Sequence, residues 1–455
     1  MNRVEMRQQL PRDRIKNFDS VPLGYSAEEA VQEAKRCIQC KVPQCESSCP
    51  VGMAIKEMVG LIAAGQFSDA FLVAKKDNPI PAIAGRVCPQ EDQCEKKCAL
   101  KKNSIDIGKL EAFVGDYAIK NPVNEPLHNT RIHGNVAVVG SGPAGITCAV
   151  DLARLGYKVT VFEALHMTGG VLQYGIPSFR LPHDIVRHEL SYLKKLGVDI
   201  QTNSVVGRTI QLEELRHEYK AVFLGTGAGS PVWLGIEGEK LKGVYSANEF
   251  LFRINMMKAH DFPIFDTPVV CRENVGVIGA GNVAMDSARC ALRLGAKKVT
   301  ILYRRTMDHS PARIEEVRHA AEEGVEFVEL VAPVRILGNS EGWVEAIGLA
   351  RMQLTENDKS GRPSPVIVPG SEFVMNLDTV INAVGTRPNR LFLSTVPGLE
   401  TQKNSCIKVD ENLMTNILGV FAGGDAITGS ATVIQAMADG RKAARSMHEY
   451  LSSNL

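Results

Sequence analysis

Seven of the eleven cysteines fall in the first hundred residues, in two groups. Cys37, Cys40, Cys45 and Cys49 run C-x2-C-x4-C-x3-C and are followed by Pro50; Cys88, Cys94 and Cys98 follow later. Thiolates at such gaps, closed by Cys-Pro, are how chains hold cubane iron–sulfur clusters, and in that class the fourth cysteine ligates the other cluster. A similar exchange here predicts one cluster on Cys37, Cys40, Cys45 and Cys98. The second would use Cys49, Cys88, Cys94 and a group that is not cysteine. Cys148, Cys271, Cys290 and Cys406 lie far from these runs. A carboxylate can complete the set, being a harder ligand that shifts the potential. Glu111 is the candidate, with Asp106 and Asp116 close by. Zinc also takes four thiolates, but its sites usually show two separated C-x2-C knuckles rather than one compact run.

Two glycine turns carry the rest of the chemistry. Gly140, Gly142, Pro143, Ala144 and Gly145 form GxGxxG directly after the apolar run VAVVG. Such glycines allow a tight turn and close backbone approach to a pyrophosphate at a helix start. Glu163 ends the next strand-like run, where it can accept hydrogen bonds from a ribose. Far downstream, Gly424 and Asp425 follow the run GVFA, with Thr432 and Val433 at a helix start. In flavoproteins of the two-dinucleotide type, an aspartate so placed binds the ribityl chain, and the helix start faces the electron-rich edge of the flavin.

The second turn comprises Gly279, Ala280, Gly281, Asn282, Val283 and Ala284. Its following strand, VTILY, is succeeded by Arg304 and Arg305 where an NAD site would show an acid. Guanidinium pairs a 2′-phosphate bidentately, so this site is expected to take NADPH. Arg313 is a further candidate for that phosphate, or else a helix-surface residue. No C-x-x-C or C-x4-C lies beyond Cys98, which argues against a redox disulfide beside the flavin of the thioredoxin- or glutathione-reductase kind. No G-x-S-x-G, HExxH or P-loop lysine motif occurs.

The elements that must position these residues follow from pattern. Ser26 and Glu29 form a capping-box signature opening a helix that delivers Cys37. Two further helices, near 53–64 and 68–77, form a hairpin between the cysteine groups. A Pro/Asn-rich connector near 121–135 marks a boundary. Beyond it the chain alternates strand and helix, and the return of flavin-type sequence at 403–446 predicts that the second nucleotide domain is inserted in the first. The expected divisions are 1–130, a helical iron–sulfur domain; 131–265, the first part of the FAD domain; 266–385, the NADPH domain; and 386–455, the rest of the FAD domain. The fold class is α/β, two Rossmann-like domains behind a helical domain.

The 52 basic and 51 acidic residues of this 455-residue chain nearly cancel, which argues against a nucleic-acid or anionic-membrane footprint. No apolar run could cross a bilayer. The charged amino terminus is not a secretory signal, and the cysteine usage predicts a reducing, cytoplasmic setting.

With these residues in hand, the chain resembles the glutamate synthase small-subunit family; the amino-terminal half of dihydropyrimidine dehydrogenase is a relative. The resemblance rests on AKRCIQCKVPQCESSCPVG, AGRVCPQEDQCEKKC, GGVLQYGIPSFRLP, GAGNVAMD and FAGGDAITGSATVIQAMADGR. It implies two [4Fe–4S] clusters with a non-cysteine ligand in a Gly-x-Leu-acid context, which GKLE places at Glu111. It also implies FAD contacts from Gly170, Arg180 and Val206, and a nicotinamide-side contact from Ala383, Val384 and Gly385. The activity implied is that of an electron-input subunit: a hydride passes from NADPH to FAD, and single electrons leave through the clusters to a protein partner. That partner would be an FMN/iron–sulfur large subunit making glutamate. The alternative is the large subunit of an electron-bifurcating NADH-dependent ferredoxin:NADP oxidoreductase, with a small FAD/[2Fe–2S] subunit and ferredoxin as partners. Sulfide dehydrogenase and pyrimidine reductase subunits follow behind these.

Overall fold

The computed structural model describes residues 2–125, 133–358 and 361–453. The boundary expected at 130 falls among residues 126–132, outside the described residues.

The first unit is helical. Ser26 accepts the N–H of Glu29 while Glu29 accepts that of Ser26, so the expected capping box starts Ala27–Ala34. The helices Ile55–Ala63 and Phe67–Asp77 form the hairpin between the cysteine groups. Gly65, at φ 76°, lets the chain reverse between them, a conformation a side chain would strain. Pro81–Val87 runs from the hairpin into Cys88. Ile107–Lys120 closes the unit so tightly on Pro81–Val87 that a Cβ on Gly85 would lie 2.4 Å from the Ala112 nitrogen.

Behind it stand two five-stranded parallel sheets. The first has the order Val420–Ala422, Val222–Leu224, Asn135–Val139, Lys158–Phe162, Asp199–Gln201. The central strand, Asn135–Val139, is apolar and buried almost throughout, as a strand covered on both faces must be. The second has the order Val244–Ser246, Thr379–Asn382, Asn274–Ile278, Lys298–Tyr303, Glu326–Glu329. Because the last strand of the first sheet comes from residue 420 onward, the second sheet is an insertion in the first domain.

The insertion starts earlier than the 266 that the sequence suggests. Val244–Ser246 already pairs with Thr379–Asn382, and the helix Ala247–Asn255 buries Phe250, Leu251 and Ile254 in the core of the second sheet. The chain passes between the two domains as a two-stranded ribbon, Ser230–Pro231 against Thr386–Arg387. The Pro-containing stretch after 261 is a loop inside the domain. An antiparallel ribbon of Val331–Gly338, Val344–Asn357, Pro363–Ile367 and Phe373–Asn376 projects from the same domain.

The helical unit is not a separate body. Its apolar residues and those of the first sheet's helices form one continuous core. Arg441, on the last helix, donates to Asp151 at 3.0 Å and to the carbonyls of Val51 and Lys76. Lys75 pairs with Glu189 at 2.7 Å, both buried. Among the described residues no helix is long and apolar enough to cross a membrane.

Candidate cofactor and cluster sites

All eleven cysteines are free thiols, and the electrostatic neighbours of the amino-terminal seven separate them into two sets. Cys37 feels Cys98 and Cys40, and Cys45 feels Cys37 and Cys98. Cys88 feels Glu111 and Cys49, while Cys94 feels Glu111, Cys88 and Cys49. The outer set is half-buried; in the inner set Cys88 and Cys94 are buried. Burial raises the thiols of Cys37, Cys45 and Cys49, Cys45 to about 11, and those of Cys88 and Cys94 well above the ordinary thiol value.

Glu111 lies in the buried face of Ile107–Lys120, where burial pushes its carboxyl up to about 8 even though Asn78 donates to it. The two other carboxylates considered from sequence are occupied. Asp106 accepts from Arg3 at 3.0 Å and pairs with Lys109 at 2.9 Å; Asp116 accepts from Arg86 at 2.7 Å. Two buried thiols, the partly buried Cys49 and a buried carboxyl thus lie together, and Arg313 is a cation acting on Cys88. Such a group is costly unless a cation lies among its members, so the donor set fits cationic iron. Among the described residues no three His, Cys, Asp or Glu side chains converge as a single metal ion requires.

The first dinucleotide turn is built as the glycines demand. Gly140 has φ 98°, and a Cβ on Gly145 would sit 1.9 Å from the Gly140 carbonyl oxygen. Gly142 caps the helix Pro143–Arg154 with no side chain on its first N–H groups, which therefore face an incoming phosphate. Ala144 lies under the last helix: a Cβ on Gly440 would be 2.1 Å from its oxygen, and one on Gly424 2.9 Å from its Cβ. Glu163 accepts from the Ser141 N–H at 2.9 Å and the Leu165 N–H at 2.8 Å, so it orders the turn at the ribose end. Gly170, at φ 53°, brings the GGVLQYG loop over the turn so closely that a Cβ there would lie 2.9 Å from Gly142 Cα.

Asp425 starts the short turn after Gly424, and burial pushes its carboxyl up to about 6 although the Ala431 N–H donates to it. Thr432 accepts the Gln435 N–H at 3.2 Å and caps Val433–Ser453. Tyr174, which sequence reasoning did not single out, is pushed up to about 12 by burial and by both Glu163 and Asp425. It therefore lies between the two acids expected at the ribose and ribityl ends. Its place inside GGVLQYG was the available signal.

Two expected FAD contacts are turned elsewhere. Val206 packs its side chain into the core beside Ala137 and Phe162, leaving only its backbone to a ligand. Arg180 places its guanidinium 2.7 Å from Asp286, with Glu316 at 3.3 Å, both in the second nucleotide domain.

In that domain Gly279 has φ 118°, and its Cβ would lie 2.6 Å from the Ala383 oxygen. Ser310 donates to the Ala280 carbonyl at 2.6 Å. Gly281 caps Asn282–Arg293 without a side chain, as in the first turn. Ala284 is buried and Val283 is 42% exposed, facing the open side. Val384 is also exposed, and the Gly385 carbonyl accepts the Val232 N–H at 3.0 Å where the chain leaves the domain.

The arginine pair after the strand is split by its geometry. Arg304 is exposed, whereas Arg305 is 4% exposed and pairs with Asp358 at 2.8 Å while donating to the Pro363 carbonyl. Arg305 is thus tied into the fold, while Arg304 is left exposed just past the end of the strand Lys298–Tyr303. Arg313 points away from that end, to Glu91 and the Arg86 carbonyl.

Residues 14–123 match the family described as dihydropyrimidine dehydrogenase domain II, 4Fe-4S cluster, and residues 134–440 match pyridine nucleotide-disulphide oxidoreductase. The chain therefore belongs to the pyridine nucleotide-disulphide oxidoreductase family, as an NADPH-dependent FAD/iron–sulfur oxidoreductase with its cluster domain in front. It is 36% identical over 436 residues to the glutamate synthase [NADPH] small chain of Escherichia coli, across 94% of this chain and 92% of that one. It is also 36% identical over 436 residues to the NADP(+)-dependent formate dehydrogenase subunit beta of Moorella thermoacetica, across 90% of this chain but 60% of that one. Among solved structures, Mycobacterium tuberculosis FprA in complex with NADPH shares the fold, with TM-score 0.60 and 21% identity over 70% of this chain and 85% of that one.

Proposed function

We propose that the chain is the electron-input subunit of a larger oxidoreductase, taking electrons from NADPH and delivering them singly to a protein partner. Two [4Fe–4S] clusters would be held, an inner one by Cys49, Cys88, Cys94 and Glu111 and an outer one by Cys37, Cys40, Cys45 and Cys98. FAD would lie along Gly140–Gly145, Glu163, Gly170 and Asp425, and NADPH along Gly279–Ala284, Arg304 and Ala383–Gly385. Bound together, these groups supply hydride acceptance at the flavin and one-electron transfer through the clusters. The chain's own part is to orient the dinucleotides on two uncapped helix starts and to bury the inner ligand set against the flavin domain.

The observation that carries this reading is the division of the cysteines into an inner set, in which Cys88 and Cys94 are buried, and a half-exposed outer set. The inner set sits beside the flavin domain, where Glu189 acts on Glu111 and Arg441 holds the Val51 carbonyl two residues past Cys49. The outer set lies among exposed Lys35, Lys41, Lys96, Lys97, Lys101 and Lys102, with Ile38 and Val42 also exposed. In a chain whose charges nearly cancel, that concentration suits an acidic redox partner.

Glutamate synthase is the favoured setting, because its small chains correspond to nearly their whole length. The acceptor would then be an FMN/iron–sulfur large subunit. The bifurcating transhydrogenase reading keeps the same chain with a different partner. Anaerobic copurification from the native host tests this: a large FMN-containing chain supports the first reading, and a small FAD/[2Fe–2S] chain replaces it with the second. NADPH should bleach both flavin and cluster absorbance of the loaded protein; flavin bleaching with unreduced clusters would sink the electron-input role.

A further inference from the structure

Arg313 caps the helix Ile314–Glu322 of the nicotinamide domain, yet its side chain leaves that domain. Its guanidinium donates to the Arg86 carbonyl at 2.8 Å and to the Glu91 carboxylate at 3.4 Å, on either side of Cys88. The Ile314 N–H adds a bond to Glu91 at 3.2 Å. On its other side, the Arg313 N–H donates to Asn282 Oδ1 at 3.0 Å, in the second dinucleotide turn. The guanidinium is 10% exposed, so solvent screens its charge little. Glu111, Cys49, Cys88 and Cys94 bring four negative ligands once iron is bound, and Arg313 is a cation acting on Cys88.

We infer that Arg313 is a positioning residue through which the nicotinamide domain sets the reduction potential of the inner cluster. The inference rests on the proposed ligand set Cys49, Cys88, Cys94 and Glu111. Net charge and hydrogen bonding around a cluster set its potential. A fixed cation beside Cys88 favours the reduced, more negative form, so its loss makes reduction harder. The direction follows from Coulomb attraction in a poorly screened site. Asn282 and Glu91 hold the same residue from both sides, so the placement of that charge depends on how the nicotinamide domain is seated against the cluster domain.

The test is an EPR-monitored potentiometric titration of anaerobically loaded full-length protein, the inner cluster being identified as the one whose signal changes in Glu111→Cys. Arg313→Gln should lower the reduced-to-oxidised ratio of the inner cluster about tenfold at the wild-type midpoint, a fall of about 59 mV for a one-electron couple. The outer cluster should stay unmoved. Arg313→Lys keeps the charge without the fork and should restore most of the midpoint. If Arg313→Gln does not load, Arg313→Met replaces it, differing from the lysine variant chiefly in charge. A loaded inner cluster with an unmoved midpoint in the neutral variants overturns the role of Arg313, as does a lysine variant shifted as far as the neutral one. A Glu111→Cys signal identical to wild type overturns the ligand set itself, and this inference with it.

Discussion

The guanidinium of Arg180 lies 2.7 Å from the Asp286 carboxylate, joining the glycine loop of the flavin domain to the helix behind the second dinucleotide turn. Both are buried, and the pair belongs to a larger network. Arg289 pairs with Glu316 and with Glu323, Arg293 with Glu323 at 2.7 Å, and Arg14 of the amino-terminal arm with Glu323 at 2.7 Å. Arg289 and Arg293 both lie against Phe179, their guanidinium carbons 4.5 and 4.0 Å from its ring centroid. Three parts of the chain meet in this one charged core.

Arg180→Met should therefore destabilise strongly. It leaves Asp286 facing Glu316 without its cation, and breaking a buried pair from one side costs about 3–5 kcal/mol. The double variant Arg180→Met with Asp286→Leu should recover part of the loss, because it removes the orphaned charge as well. Thermal unfolding of both variants checks this; a double variant less stable than the single one would contradict it.

Acid should weaken the same core. Burial acts to raise Glu323 and Glu316, but the arginines around them outweigh it and hold both carboxyls at about 2, below the ordinary value. Groups with depressed folded values contribute stability that is present above the unfolded carboxylate range and is lost as pH falls toward 2. Between about pH 4.5 and 2, the wild type should lose more stability than Glu323→Gln, as measured by urea midpoints. Parallel curves would show that Glu323 is not the titrating group.

Arg304→Ala should raise KM for NADPH by about tenfold or more and leave NADH nearly unaffected, through loss of a charge-assisted phosphate contact. Arg305→Ala should do neither, and should instead loosen the ribbon carrying Asp358 and Pro363. Steady-state kinetics with both nucleotides separates them. Equal discrimination lost in the two variants would show that both neighbours, rather than Arg304 alone, meet the phosphate.

Glu111→Ala should cost the protein up to half its iron and labile sulfide and change one of two cluster signals. Iron content and EPR spectra like those of the wild type would remove Glu111 as a ligand.

Much of the proposed site is legible in the sequence. The cysteine gaps, both glycine turns, Glu163 and Asp425 each combine residue type with spacing, and spacing survives in the chain. The domain insertion is legible because flavin-type sequence returns after the second turn. What escapes is set by direction and distance. Arg304 and Arg305 are adjacent in sequence, but partners more than fifty positions away, Asp358 and Pro363, bury the second. Arg180 and Asp286 are 106 positions apart, and no local pattern announces their contact. The start of the inserted domain is hard to place because Val244–Ser246 is a three-residue strand, too short to show a period, while the later proline-bearing loop looks like a linker.

The charged core also orders events in time. Arg14 is made 309 residues before the glutamate it meets, roughly half a minute at about 10 residues per second of synthesis. Until then Arg14 lacks Glu323, although Arg3 can already meet Glu95 and Asp106, and the loop bearing Cys88 lacks the bond from Arg313 to the Arg86 carbonyl.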